Sequence, residues 1–250
     1  MAKRDFSPPP VPRVIGHRGA AGHAPENTLA SFATAAALGV SWVEFDVRLT
    51  GDGALVVFHD ETLERTTDGN GRVAETTLAA IRRLDAGSWF GKAFAGERVP
   101  AFEDALATLE RLDLGAVIEL KADPPEREPE TGRAVARALR NSWPATLPAP
   151  LISSFRAAAL RAVGDGAPEF PRALLVIKLE TDWQRQAEAL GCVAMHCREN
   201  ELTPELARQV LDRGYGLRCF TVNARKRAET LFKWGVEGVF SDYPDRLLAK

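Results

Sequence analysis

The chain has 250 residues, with 34 acidic and 32 basic side chains and a net charge of −2. That near-balance argues against a protein built to grip a polyanion such as DNA. Apolar residues at 45% and charged residues at 26% exclude a disordered chain, and the length suits one large α/β domain as well as two smaller ones.

The opening segment, MAKRDFSPPPVPR, lacks the apolar stretch of a secretory signal, and residues 1–12 read as an extended Pro-rich leader. No run of about 18 apolar residues follows anywhere, so no membrane-spanning helix is expected. The three cysteines, Cys192, Cys197 and Cys219, form no CxxC pair. Their odd number points to a reducing compartment rather than a disulfide framework. A soluble cytoplasmic protein is the expectation, with no stable membrane association. Nothing in the sequence assigns an oligomeric state.

Residues 13–17 (RVIGH) read as a strand. Residues 28–38 follow with Leu29, Phe32, Ala33, Ala36 and Ala37 on one helical face, Asn27 placed to cap and Gly39 to terminate. Residues 42–49 (WVEFDVRL) and 54–59 (ALVVFH) are strands separated by a Thr-Gly-Asp-Gly turn. A parallel crossover needs roughly a dozen residues, so these two pair as a hairpin. Residues 60–98 are rich in turn signals and show no clean period, which predicts an insertion packed on the domain. Helices are then expected at 102–111 and 128–141, with strands at 116–121, 151–154, 173–176, 193–197, 217–222 and 238–241. Leaving the hairpin's return arm outside the count makes eight strand–helix units, the arithmetic of a (β/α)₈ barrel. A doubly wound open sheet is the alternative. The fold expected is therefore a TIM-like barrel forming a single domain over 1–250, with a β-hairpin and a small insertion after the second strand.

Common catalytic motifs are missing: there is no GxxxxGK[ST], HExxH or GxSxG. Gly69-x-Gly71-x-x-Ala74 imitates a dinucleotide fingerprint but neither follows a suitable strand nor opens a helix. The informative residues are charged ones on apolar strands. Glu44 and Asp46 are two apart and share a face, and buried carboxylates repel unless a cation joins them. Period alone does not choose between a core-facing and a surface-facing pair. Glu119, near the C-terminal end of VIELK with Lys121 on its face, favours the core, because barrel strand ends converge on the functional mouth. Three carboxylates make an all-oxygen site suited to a hard divalent ion, Mg²⁺ or Ca²⁺. His17 and His59 both end strands, and the hairpin returns His59 towards Asp46. Arg18 and Lys121 add the positive charge that suits phosphate oxygens. His23 reads as a loop residue and His196 as a strand residue lining the mouth. Ser153, Ser154, Glu26 and Asn223 are expected nearby without assigned roles.

In order, His17-Arg18-Gly19, Pro25-Glu26-Asn27-Thr28, Glu44-x-Asp46, His59-Asp60 and Ile118-Glu119-Leu120-Lys121 resemble the glycerophosphodiester phosphodiesterases. The likeness continues through Leu84-Asp85-Ala86-Gly87-Ser88-Trp89, Thr221-Val222-Asn223 and Ser241-Asp242-Tyr243-Pro244. It spans 14–244 and is strongest to the short cytosolic bacterial members. The resemblance implies a TIM-like barrel that converts deacylated phospholipids to sn-glycerol 3-phosphate and an alcohol. It also implies metal ligands at Glu44, Asp46 and Glu119, acid/base histidines at His17 and His59, and phosphate contacts at Arg18 and Lys121. Residues 60–98 match the family's insertion, which caps the barrel mouth. Phe220 stands where relatives often carry Trp or Tyr; it keeps an aromatic wall and loses a polar tip. Packing of Phe220 on the substrate's carbon skeleton is expected, against the plainer reading of a barrel-filling residue.

The expected reaction is in-line attack on a metal-bound phosphodiester, with His17 favoured as base and His59 as acid. Water and the glycerol 2-hydroxyl are both open as nucleophile. Rival readings are a membrane-acting phosphodiester lyase on the same scaffold and a barrel that has lost catalysis. The first wants a basic amphipathic helix that the sequence does not display; the second wants a broken histidine pair. The expected partner is a small glycerophosphodiester, with no nucleic acid.

Overall fold

The computed structural model describes residues 11–248; the expected leader lies almost wholly outside them. Nine strands build one sheet: β1 (Val14–Gly16), β2 (Trp42–Leu49), β3 (Leu55–Val57), β4 (Gly115–Leu120), β5 (Leu151–Ser154), β6 (Arg172–Val176), β7 (Ala194–Arg198), β8 (Gly216–Phe220) and β9 (Gly238–Ser241). All neighbours except β2 and β3 pair in parallel, and a β1–β2 pairing closes the ring. The result is a closed eight-stranded parallel barrel with β3 outside it, so the open-sheet alternative falls.

Helices cross between successive barrel strands: α1 (Leu29–Ala37), α3 (Phe102–Leu112), α4 (Glu128–Ser142), α5 (Ala157–Gly166), α6 (Trp183–Ala189), α7 (Pro204–Asp212) and α8 (Arg225–Lys233), while α2 (Leu78–Ile81) belongs to the insertion. Among the described residues the eighth strand is followed only by a 3₁₀ turn, Pro244–Arg246, so the last unit is shorter than its seven predecessors. No helix among the described residues is long and apolar enough to cross a membrane.

Strand β2 answers the question its period leaves open. Val43, Phe45 and Val47 join Phe32 of α1 and Phe102 of α3 in the layer between barrel and helices. The Phe45 ring lies 5.4 Å from Phe32 and 6.4 Å from Phe102, centroid to centroid, and truncating such a ring costs about 3–5 kcal/mol. Trp42, on the other face, packs inside the barrel with Ile15, Val117 and Leu151. The large apolar set therefore faces the helices, and Glu44 and Asp46 are forced into the barrel interior.

Helix α1 departs from its expected face. Ala33 and Ala37 are exposed, whereas Ser31, Phe32 and Ala35 are buried. Small residues turn inward because the β1–α1 turn presses on the helix: Ser31 Oγ donates to Arg18 O (2.8 Å) and accepts from Ala20 N (2.8 Å). The cap is Thr28, whose hydroxyl accepts from Ser31 N, not Asn27, whose side chain is committed elsewhere.

The hairpin forms as expected, with Val47, Arg48 and Leu49 opposite Val57, Val56 and Leu55. Beyond it, residues 60–98 carry a small core of their own, in which Leu63, Val73, Ile81 and Ala86 pack on Val56 and Phe58. The Asp85 carboxylate ties this segment by accepting from the backbone of Gly87, Ser88 and Gly96. Trp89 Nε1 donates to Ala86 O. The Leu84–Trp89 motif thus organises a turn and lies outside the chemistry.

Candidate active site

The turn after β1 is the first part of the site. Arg18 (φ 50°) and Gly19 (φ 88°) both adopt the left-handed region, which costs a non-glycine residue roughly 1–3 kcal/mol. A Cβ on Gly19 would lie 2.3 Å from Ser31 Oγ and 2.7 Å from the Ser31 carbonyl carbon, so only glycine fits there. The bend aims the Arg18 backbone N–H at Glu44 Oε2 (3.0 Å) and the Gly19 N–H at the Glu44 carbonyl (3.2 Å). Strain in a short motif thereby fixes a carboxylate on the next strand.

Register sets the rest. Asp46 of β2 stands opposite Glu119 of β4, and Glu44 is two residues back on the same face. One oxygen from each of these buried carboxylates lies within 4.8 Å of the others. Asp46 Oδ2 accepts from Asn27 Nδ2 (2.8 Å) and lies 3.3 Å from Arg18 Nε; Asp46 Oδ1 lies 3.3 Å from Lys121 Nζ. Lys121 also contacts Glu119 Oε1. Burial and the neighbouring carboxylates hold Glu44 far above the usual carboxylate range. Burial, backed by Asp46, pushes Glu119 up to about 7 against the pull of Lys121. Asp46 goes the other way: burial would raise it, but Lys121 and Arg18 outweigh that and hold it well below its usual range.

The cluster fits a divalent ion on two observations. Glu44 Oε1 is buried without a hydrogen-bond partner, and Asp46 Oδ1 makes no hydrogen bond and has only the ion pair with Lys121, a costly state that a coordinated cation relieves. The donors are also all oxygen, the chemistry of a hard ion such as Mg²⁺ or Ca²⁺.

Both histidines are held by aspartates. His17 Nδ1 donates to Asp242 Oδ1 (2.6 Å), directing Nε2 to within 3.9 Å of Glu44 Oε2. Asp242 is itself fixed by Asn223, which donates to Oδ2 (2.8 Å) and accepts from the Asp242 backbone N–H (2.9 Å). His59 is brought in by the return arm, where the Phe58 N–H donates to Asp46 O (3.0 Å). His59 Nδ1 donates to Asp60 Oδ1 (2.5 Å), and Arg48 donates twice to the His59 carbonyl (2.8 and 2.6 Å). In each case an acceptor-only carboxylate places the proton on Nδ1 and leaves Nε2 free to exchange one. Burial, with Arg18 and Lys121, lowers the proton affinity of His59 against the opposing pull of Asp46 and Asp60.

Asp60, Asp242, Asn27, Asn223 and Arg48 are the residues that reading the sequence did not assign. Asp60 adjoins His59, and Asn27, Asn223 and Asp242 stand in motifs that carry the family resemblance; Arg48 continues the inward face of Glu44 and Asp46. Among those left without roles, Glu26 pairs with Arg18 (2.6 Å) and Arg65 (2.8 Å), while Ser153 lines the cavity. Ser154 instead donates to Leu120 O, a purely structural bond. His23 binds Asp245 away from the site, and His196 is buried beside Phe240.

His17, Arg18, Glu44, His59, Glu119, Lys121 and Phe220 all border one cavity of about 310 Å³. Asp46 lies beneath it. Every residue expected to act is therefore gathered at one end of the barrel, with Phe220 set edge-on to Phe155 at 5.8 Å. No residue of 60–98 lines the cavity; that segment touches the site through Asp60, which holds the His59 ring, and through Arg65, which bridges Asp60 and Glu26.

Comparison with known proteins identifies the family. The model of the glycerophosphoryl diester phosphodiesterase family matches residues 17–246. The chain belongs to this family. A glycerophosphodiester phosphodiesterase of Caldanaerobacter subterraneus is 36% identical over 237 residues, covering 94% of this chain and 96% of that one. One from Bacillus subtilis is 32% identical over 250 residues, covering 92% and 83%. Among solved structures, an Oleispira antarctica phosphodiesterase in complex with the product sn-glycerol 3-phosphate superposes with a TM-score of 0.92. It is 39% identical, with 95% of both chains covered. Family membership makes the chain a phosphoric diester hydrolase of the glycerophosphodiester type, and the expected barrel is the family's.

Proposed function

We propose that the chain hydrolyses glycerophosphodiesters to sn-glycerol 3-phosphate and an alcohol, using a divalent ion and the His17/His59 pair. The observation that carries this is the meeting of two aspartate-held histidines with three carboxylates at one cavity. Glu44, Asp46 and Glu119 would hold the ion, which when bound would neutralise phosphate charge and polarise phosphorus. Arg18 and Lys121 supply further fixed positive charge where the phosphate oxygens gain charge. One imidazole Nε2 takes the nucleophile's proton and the other gives one to the leaving alkoxide. The lowered proton affinity of His59 suits it to start neutral, as the base. This assignment reverses the one favoured from sequence. Arg65, by tying Glu26 to Asp60, gives residues 60–98 a role as a cap that steadies His59 from outside the cavity. The substrate is a small soluble molecule in this reading, and the enzyme works in the cytoplasm.

Glycerol 3-phosphate release, coupled to its dehydrogenase, tests the reading. Glycerophosphodiesters should be cleaved and intact phospholipid vesicles left untouched. Cleavage of vesicles alone would make the protein a membrane-acting phosphodiester lyase, and cleavage of neither would make it non-catalytic. A trapped cyclic phosphate would name the glycerol 2-hydroxyl, rather than water, as nucleophile.

A further inference from the structure

The cavity has two unlike halves. The half from β1, β2, β4 and the return arm holds the carboxylates, the histidines, Arg18 and Lys121. The half from β5 to β9 is an apolar wall of Phe155, Ile177 and Phe220 over Ser153 and His196, with Arg198 at its lip. Phe155 and Ile177 are 38% and 44% exposed, which is unusual for large apolar side chains on a strand end unless something packs on them. No carboxylate lines this half. The neighbouring one in sequence, Glu199, is engaged by Arg227 at both its side chain and its carbonyl.

Arg198 closes β7 directly opposite Phe220 of β8. Its side chain is exposed, borders the cavity, and makes no hydrogen bond or ion pair with any described residue. Every other arginine that borders or braces the cavity, Arg18, Arg48 and Arg65, is spent on protein carboxylates or carbonyls. An unspent guanidinium beside an aromatic wall offers donors to hydroxyl or anionic oxygens and repels a cation.

We propose that Arg198 makes this half of the cavity a subsite for a polyol alcohol group that is neutral or anionic, and sets it against cationic amino alcohols. The idea rests on the phosphodiesterase reading above. A polyol ring lays its C–H face on Phe155 and Phe220 and turns its oxygens to Arg198 and Ser153. A quaternary ammonium meets the same rings with a positive charge next to them and no counter-charge, so discrimination comes from repulsion as much as attraction.

The test is kcat/KM for three esters that differ in the charge of the alcohol: glycerophosphocholine, glycerophosphoinositol and glycerophosphoinositol 4-phosphate. Each is measured with the full chain, Arg198→Gln and Arg198→Glu. The native enzyme should prefer the inositol phosphate ester over the choline ester by roughly tenfold or more, since tenfold needs only about 1.4 kcal/mol. That ratio should collapse in Arg198→Gln and invert in Arg198→Glu, with the change carried mainly by KM. A native preference for the choline ester, or a ratio unmoved in both variants, would overturn the subsite alone. Absence of turnover on all three esters would instead overturn the phosphodiesterase reading, and the subsite with it.

Discussion

His17 and His59 reach the same cavity on different kinds of support. His17 ends a barrel strand, and its aspartate lies 225 residues away, beyond the last barrel strand. Closure of the barrel therefore builds that pair, and it cannot loosen without opening the β1–β9 seam. His59 ends the hairpin arm, and its aspartate is the next residue, shared with Arg65 of the insertion. That pair is local and about a quarter to a third exposed, so solvent screens it. What keeps His59 in place is the Arg48 fork on its carbonyl together with the Phe58–Asp46 backbone bond. Two identical side-chain pairs thus owe their precision to opposite sources, one to topology and one to a neighbouring cation.

The strongest way to break the comparison is to remove the rings. His17→Ala and His59→Ala should each lower kcat by about 10²-fold or more with unchanged far-UV circular dichroism; a loss below tenfold in either would remove that ring from proton transfer. Removing the orienting carboxylates sharpens it. Asp242→Asn should cost about 10- to 100-fold in kcat, because among the described residues Asp242 makes the one hydrogen bond to the His17 ring. Asp60→Asn should cost several-fold less, because Arg48 still holds the His59 backbone. Equal losses in steady-state kcat would mean that the arm depends on Asp60 as fully as the barrel depends on Asp242.

The smallest effect concerns the carboxylate floor that both rings face. Glu119 is raised from 4.5 to about 7, so between those values the folded chain keeps a proton that the unfolded chain releases. Without metal, that group's contribution to stability is present below about pH 4.5 and lost as pH rises through 7. An ion in the cluster replaces the proton. The gain in Tm on adding Mg²⁺ or Ca²⁺, read by differential scanning fluorimetry, should be near zero at low pH and reach several degrees above neutrality. A gain independent of pH would place the ion elsewhere.

Much of the barrel was legible because a strand buried on both sides is a short apolar run between helical segments, and the observed strands sit within a residue or two of expectation. The inward direction of Glu44 and Asp46 was not legible from β2 alone; it is decided by Phe45 fitting between Phe32 and Phe102. The face of α1 was misread for a related reason. Ser31 and Ala35 turn inward because they are small, and hydrophobic period does not register closeness of approach. Glu119 and Lys121 stand out because charge on an apolar strand is conspicuous, His17 and His59 because each ends a strand, with Arg18 beside the first, and Phe220 only through the family resemblance. Asp242 was quoted in a motif yet given no role, since its partner is at the far end of the chain. Arg198 gave no sequence signal at all: one arginine after a strand looks like any solvated charge until its lack of a partner is seen.

The central claim, an ion held by Glu44, Asp46 and Glu119 between two proton carriers, is most directly tested by glycerol 3-phosphate release from chelator-treated enzyme. The account predicts no release in EDTA and recovery on titration with Mg²⁺ or Ca²⁺, with recovery lost in Glu119→Gln. Full activity in EDTA would contradict it.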